Sequence, residues 1–181
     1  MAHSSTELLI DYWQARLSDG RAPTRASINP VDFPTLLPQV FILGRHAPGD
    51  YRFRLVGGLV GDLHGRDLRG VGFSSLWAQR ARLPLQTGLE RLRRQPAALR
   101  LAVCMEAGGQ TLDLEIALMP LANAQGEVDR FLGIYQPRQP VARLRGQTAD
   151  RLQLLSIAGD AGEAEAKPRI RLAAVAGHRV G

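Results

Sequence analysis

The chain has 181 residues, 45% of them hydrophobic, which suits one domain with extensions and leaves two full domains cramped. No run of about twenty apolar residues is present to span a bilayer, and MAHSSTELLIDYW lacks the basic-then-apolar pattern of a secretory signal, so a cytoplasmic protein without membrane insertion is expected. The net charge is +6, with arginine supplying every basic residue except Lys167, but a basic balance without an aromatic-studded stripe or a reading helix does not point to nucleic acid.

Ser4-Ser5-Thr6-Glu7 has capping-box spacing, and Leu8, Leu9, Tyr12, Trp13, Arg16 and Leu17 then recur at helical intervals before Ser18-Asp19-Gly20 stops the run. The stripe of this short amphipathic helix carries two large aromatics, so Tyr12 and Trp13 are the candidate interaction surface, either toward another protein or toward a second copy of the chain. Four prolines follow between Arg21 and Pro38. Gln39 to Arg45 and Tyr51 to Val56 read as two strands joined by the turn Pro48-Gly49-Asp50. In the second, Tyr51, Phe53 and Leu55 alternate with Arg52, Arg54 and Val56, which predicts one apolar face and one partly wet face.

The stretch DLHGRDLRGVGFSSLW, Asp62 to Trp77, is interrupted by Gly65, Gly70 and Gly72, so short helical turns are expected and a single long helix is not. Ser74 can cap a longer helix running through Trp77, Leu85, Leu89 and Leu92 to Gln95-Pro96, with a kink or break near Leu83 ahead of Pro84. Three strands come next: Leu99 to Glu106, then Thr111 to Leu118 after Gly108-Gly109, then Val128 to Tyr135 after a turn at Asn123 to Gly126. From Val141 onward seven basic residues face four acidic ones, so half of the charge excess sits in a tail. That tail holds the low-complexity run GDAGEAEA, Gly159 to Ala166, and is expected to be mobile in large part. Leu152 to Ile157 and Ile170 to Val175 are apolar enough to dock as added strands.

The lead-in DYWQARLSDGRAPTRASINPVDFPTLLPQVFIL, the strand YRFRLVGG and the segment GRDLRGVGFSSLW together resemble a PAS domain, and more narrowly the small single-domain PAS proteins of alphaproteobacteria, over roughly Leu8 to Tyr135. The lead-in is specific because Tyr12-Trp13, Pro23, Asp32, Leu37-Pro38 and Phe41 come in order over some thirty residues. The resemblance implies an α+β fold, a five-stranded antiparallel sheet with short helices and one longer helix over one face and an N-terminal flanking helix. Residues 1–38 then form the helix and proline-rich lead-in, 39–136 the core, and 137–181 a basic tail. The resemblance implies that Gly65, Arg66, Asp67 and Gly70 make the turns that wall a small pocket; Asp67 is read as capping a turn and Arg66 as pairing with an acid on a neighbouring loop, the alternative being a solvated, exposed pair.

Leu55, Leu63, Trp77, Leu101, Val103, Ile116 and Ile134 are the candidate pocket lining, although the same alternation fits a filled core. Haem-binding members usually take a histidine from the long helix, and Ser74 to Gln95 holds none, while His64 before it reads as a surface or partly packed imidazole. The flavin-type cysteine belongs to the short helices, whereas Cys104 falls on a strand and reads as a core thiol that has no disulfide partner. Asp113 and Glu115 share a strand face that should meet solvent or a partner. His3, His46, His64 and His178 have no metal-ligand spacing, and the glycines at 57, 58, 61 and 65 match no phosphate loop. No cofactor, metal or active site is therefore expected. The reading is a non-enzymatic sensory or regulatory module that binds signalling proteins such as histidine kinases or relay components, with self-association through the N-terminal helix equally open. The alternative is a sensor whose apolar cavity takes a metabolite.

Overall fold

The structure is a computed structural model and describes residues 4–159. Helix α1 (Ser5–Gln14) opens with the expected capping box, the Ser4 hydroxyl accepting the Glu7 N–H while the Glu7 carboxylate accepts the Ser4 N–H. Three short 3₁₀ turns, Arg25–Ser27, Pro30–Asp32 and Pro34–Gln39, follow where prolines forbid longer helix. Strands β1 (Val40–Ala47) and β2 (Asp50–Val56) form the predicted hairpin. The broken stretch is broken as expected: α2 (Gly58–His64) ends at Gly65 in a left-handed conformation, and a 3₁₀ turn at Phe73–Leu76 precedes α3 (Gln79–Arg94). Strands β3 (Leu99–Ala107), β4 (Gln110–Ala122) and β5 (Val128–Pro137) make the meander.

A sixth strand, β6 (Arg151–Gly159), comes from the tail after a 3₁₀ turn at Val141–Leu144. Among the described residues the sheet therefore has six strands, in the order β2-β1-β5-β4-β3-β6, and every neighbouring pair is antiparallel. The expected α+β architecture stands, with one strand more than the five predicted. Leu152 to Ile157 is part of β6, whereas Ile170 to Val175 and all of the low-complexity run beyond Gly159 lie outside the described residues.

Both faces of the sheet are covered by the chain itself. On the inner face α2, the Phe73–Leu76 turn and α3 bury Leu63, Phe73, Trp77, Leu85 and Leu89 against Phe41, Phe53, Leu101, Val103, Ile116, Phe131 and Tyr135. On the outer face α1 and the proline-rich lead-in bury Leu9, Ile10, Trp13, Ile28, Phe33 and Leu36 against Val40, Ile42, Ala117, Met119, Leu132 and Ile134. Helix α3 starts one turn later than predicted: its first residue follows Ala78, which makes no side-chain cap, and it runs through Pro84 without interruption in its range. Pro84 sits in the second turn and removes one hydrogen bond there, while Leu85, Leu89 and Leu92 on the buried side hold the helix down. Tyr51 donates a short hydrogen bond to Glu90, which also pairs with Arg93 at 3.1 Å, and this fastens β2 to α3.

Two glycines allow close approaches that no other residue would. A Cβ on Gly57 would press into the backbone carbonyls of Leu37 and Pro38, and a Cβ on Gly133 would enter the ring of Phe41, its partner across the β1–β5 ladder. Gly133→Ala should lower stability by about 1–3 kcal/mol, the range for an overpacked core, read as a lower urea midpoint; an unchanged midpoint would mean that Phe41 can move aside at no cost.

Candidate functional site

The space between the sheet and its inner helices, which the sequence left open as a candidate pocket or a packed core, holds a cluster of aromatic rings. Phe41 lies 5.5 Å from Phe53, 6.0 Å from Phe73 and 5.5 Å from Tyr135, measured between centroids, and Phe73 lies 5.6 Å from Trp77. Edge-to-face contacts dominate this group, the geometry that aromatic quadrupoles prefer. Of the seven predicted lining residues, Leu63, Trp77, Leu101, Val103 and Ile116 are buried in this inner cluster.

The other two are elsewhere. Leu55 is 39% exposed, because β2 bulges at Arg54: Leu43 pairs with Phe53 but Ile42 pairs with Leu55, so the alternation changes sides and Val56, not Leu55, turns inward. Ile134 sits on the outer face with its cross-strand neighbours Val40 and Ala117, while the adjacent Tyr135 takes the inner position.

His64 is the residue that sequence reasoning placed worst. It is only 7% exposed, at the C-terminal end of α2, and its Nε2 lies 2.9 Å from the Tyr135 hydroxyl. The pair gives each polar group a partner inside an apolar core, which it needs. The signal was available in part: Phe131, Gly133 and Tyr135 share one face of β5, and α2 is short enough to aim its last residue at them. Burial keeps the Tyr135 phenol protonated.

Asp67 does cap its turn, accepting the backbone N–H of Arg69 at 3.0 Å, and its charged partner is the Arg69 side chain at 2.7 Å; the ion pair expected for Arg66 with an acid on a neighbouring loop is not seen among the described residues. The Asp67–Arg69 pair is exposed on both sides, so it contributes little beyond shaping the turn. Its hydrogen bonds hold the Asp67 carboxyl down to about 2. The expected cap Ser74 has no such role; Ser75 bonds the Gly72 carbonyl instead. Glu115, expected to face solvent beside Asp113, is largely buried and pairs with Arg138 at 2.6 Å and Arg100 at 3.8 Å on the outer face. Cys104 is half-buried on that face, and burial, with Asp113 and Glu106 adding to it, raises its pKa and keeps it a thiol.

The N-terminal aromatics part company. Trp13 is 1% exposed and donates its Nε1 proton to the Pro120 carbonyl at 2.9 Å, so it belongs to the core and not to the predicted contact surface. Tyr12 stays at the surface as the centre of a polar knot: its hydroxyl accepts the Asn29 N–H at 2.9 Å and donates to Asp32 at 2.8 Å, while Arg16 lies over its ring at 3.4 Å and pairs with Asp32 at 3.1 Å. This knot fixes the lead-in against α1 and explains why Tyr12 and Asp32 occur together in the sequence. Two exposed apolar side chains flank it, Leu8 one helical turn before Tyr12 at 48% and Val31 between Asn29 and Asp32 at 78%.

No helix among the described residues is long and apolar enough to cross a membrane. A family model described as "PAS domain" matches residues 1–136. Comparison with curated proteins gave no match. Among solved structures the chain is similar to one described as "Structure of an RNA-binding Light-Oxygen-Voltage Receptor", with 16% identity and a TM-score of 0.46, over 72% of this chain and 40% of that one.

Burial, with the Arg66 charge adding to it, lowers the pKa of His64 from 6.5 to about 4. Between those values the unfolded chain takes up a proton that the folded chain refuses. Stability is therefore full above about 6.5, falls with acidification, and levels off below about 4, a loss on the order of 3 kcal/mol. Urea midpoints should follow that curve, and His64→Leu should flatten it; an equally steep fall in the variant would assign the effect to other groups.

Proposed function

Because the chain belongs to the PAS domain family, whose members are sensory modules, we propose that it is a non-enzymatic regulatory module that works by binding another signalling protein, such as a histidine kinase or a relay component. The observation that supports this reading is the packed interior: Phe41, Phe53, Phe73, Trp77 and Tyr135 lie ring against ring between the sheet and the inner helices. Recognition then takes place on the outside. Leu8 and Val31, set on either side of the Tyr12 knot, form the contact, since exposed apolar side chains on a rigid support lose little entropy on binding.

One observation favours a second reading. Trp77 Nε1 is buried and has no acceptor among the described residues, and the acceptor of a small ligand would satisfy it at the cost of moving a neighbouring ring. In that case the module responds to a metabolite by a shift between two packings of the inner helices.

Affinity capture from the source cells, comparing the full chain with Leu8→Asp/Val31→Asp, separates the two. A histidine kinase or relay protein retained by the wild type and lost from the double variant supports the contact surface. No such protein in either sample, together with a small molecule retained in native mass spectrometry, would replace it with the ligand reading.

A further inference from the structure

Between residue 136, where the family match ends, and β6, a strap from Arg138 to Asp150 lies against the inner layer. Both of its ends are fixed. The Arg138 N–H donates to the Asp113 carbonyl at 2.8 Å and its guanidinium pairs with Glu115 at 2.6 Å. At the other end the Asp150 N–H donates to the Glu106 carbonyl at 2.7 Å, and its carboxylate accepts the Gly108 N–H at 2.8 Å. The middle is held lightly. From Val141 to Ala149 only Leu144 is buried, Ala149 is half-buried and the other side chains are exposed. Among the described residues two hydrogen bonds tie this middle to the rest of the chain: Arg143 Nε to the Thr111 carbonyl at 3.1 Å, and the Ala149 N–H to the Leu63 carbonyl at 2.8 Å. Its other main-chain bonds, Arg143 to Pro140, Arg145 to Ala142 and Gln147 to Leu144, lie within the strap and survive if it lifts as a unit. Directly after Leu144 the chain reverses through Arg145 and Gly146 in left-handed backbone, φ 51° and 77°, a conformation that strains arginine.

What the middle holds is the end of α2. Ala149 bonds Leu63 and Thr148 lies against Gly65, so the strap grips the backbone on both sides of His64. We propose that this strap is a clasp: its middle lifts while the sheet stays folded, releasing the last turn of α2 so that His64 leaves Tyr135 and the inner aromatic layer opens at that end. Segments with few buried apolar contacts and solvent-exposed hydrogen bonds open at lower free energy than the core. Here one buried leucine and two hydrogen bonds oppose the lift, and relief of the strain at Arg145 favours it. The step serves either reading above, because a protein partner gains a released helix end and a small molecule gains a way into the inner layer.

Amide exchange in the full chain tests this. The Ala149 N–H should be at least about a hundredfold less protected than the Ile116 N–H of the central strand β4, and nearly indifferent to low urea, while Asp150 at the fixed end keeps the greater protection of the two neighbours. Leu144→Ala should speed Ala149 exchange and the labelling of His64 by diethyl pyrocarbonate by a common factor of at least about tenfold, since the Tyr135 hydroxyl occupies His64 Nε2 when the clasp is shut. Met119→Ala, on the outer face, should speed Ile116 and leave Ala149 unchanged. If Leu144→Ala does not fold, Arg143→Ala removes the Thr111 bond instead and should act in the same direction by about threefold. Ala149 and Ile116 amides that exchange alike and respond alike to urea overturn the proposal, as does equal acceleration of both by Met119→Ala. His64 labelling that fails to follow Ala149 exchange in a folded strap variant also overturns it, because α2 then stays closed when the strap lifts.

Discussion

The hydrogen bonds made by the stretch Gly70 to Ala78 set the shape of everything else. At one end Gly70 donates to the Phe53 carbonyl and Phe53 donates to Val71; at the other, Ala78 donates to Leu152. Phe53 and Leu152 belong to the two outermost strands of the sheet. Laid flat, six strands at about 4.8 Å spacing hold their outer members about 24 Å apart. Eight residues reach at most about 26–29 Å when fully extended, and the 3₁₀ turn at Phe73–Leu76 takes up part of that length. The crossing therefore has little slack, and the inner aromatics pack against the sheet beside it. Gly65, Gly70 and Gly72 break the chain here because a continuous helix could not bond to both edges; Gly65 and Gly70 adopt the left-handed backbone that ends each turn.

That constraint separates what could be read in the sequence from what could not. Local signals were legible: the capping box at Ser4, the turn residues between strands, the alternation along β3 and β4, and the interruptions between Asp62 and Trp77. Alternation says which residues of one strand share a face, but not which face lies beneath the helices. Ile134 and Tyr135 were thus exchanged, and a single bulged residue, Arg54, was enough to move Leu55 to the other side. The partners of polar groups were the least legible, since they depend on tertiary contact. Asp67 found Arg69, two residues on, and His64 found Tyr135 from a strand seventy-one residues away.

The two faces also divide the chemical work. Inside, His64 and Tyr135 satisfy each other in an otherwise apolar layer; outside, Glu115 is held between Arg100 and Arg138, and the Tyr12 knot pins the lead-in. The amphipathic pattern of α1 was correctly seen, but an apolar stripe says only that something covers it. Here the cover is the outer face of the same sheet, which takes Leu9, Ile10 and Trp13 and leaves Leu8 to solvent.

The family match stops at residue 136, yet Trp77 leans on a strand that begins at Arg151. A recombinant fragment trimmed to the recognised boundary would lack β6, so β3 would become a raw edge and one anchor of the Gly70 to Ala78 crossing would vanish. A fragment that keeps both anchors of this crossing must include β6, and boundaries drawn from family length alone would remove Leu152 from the core.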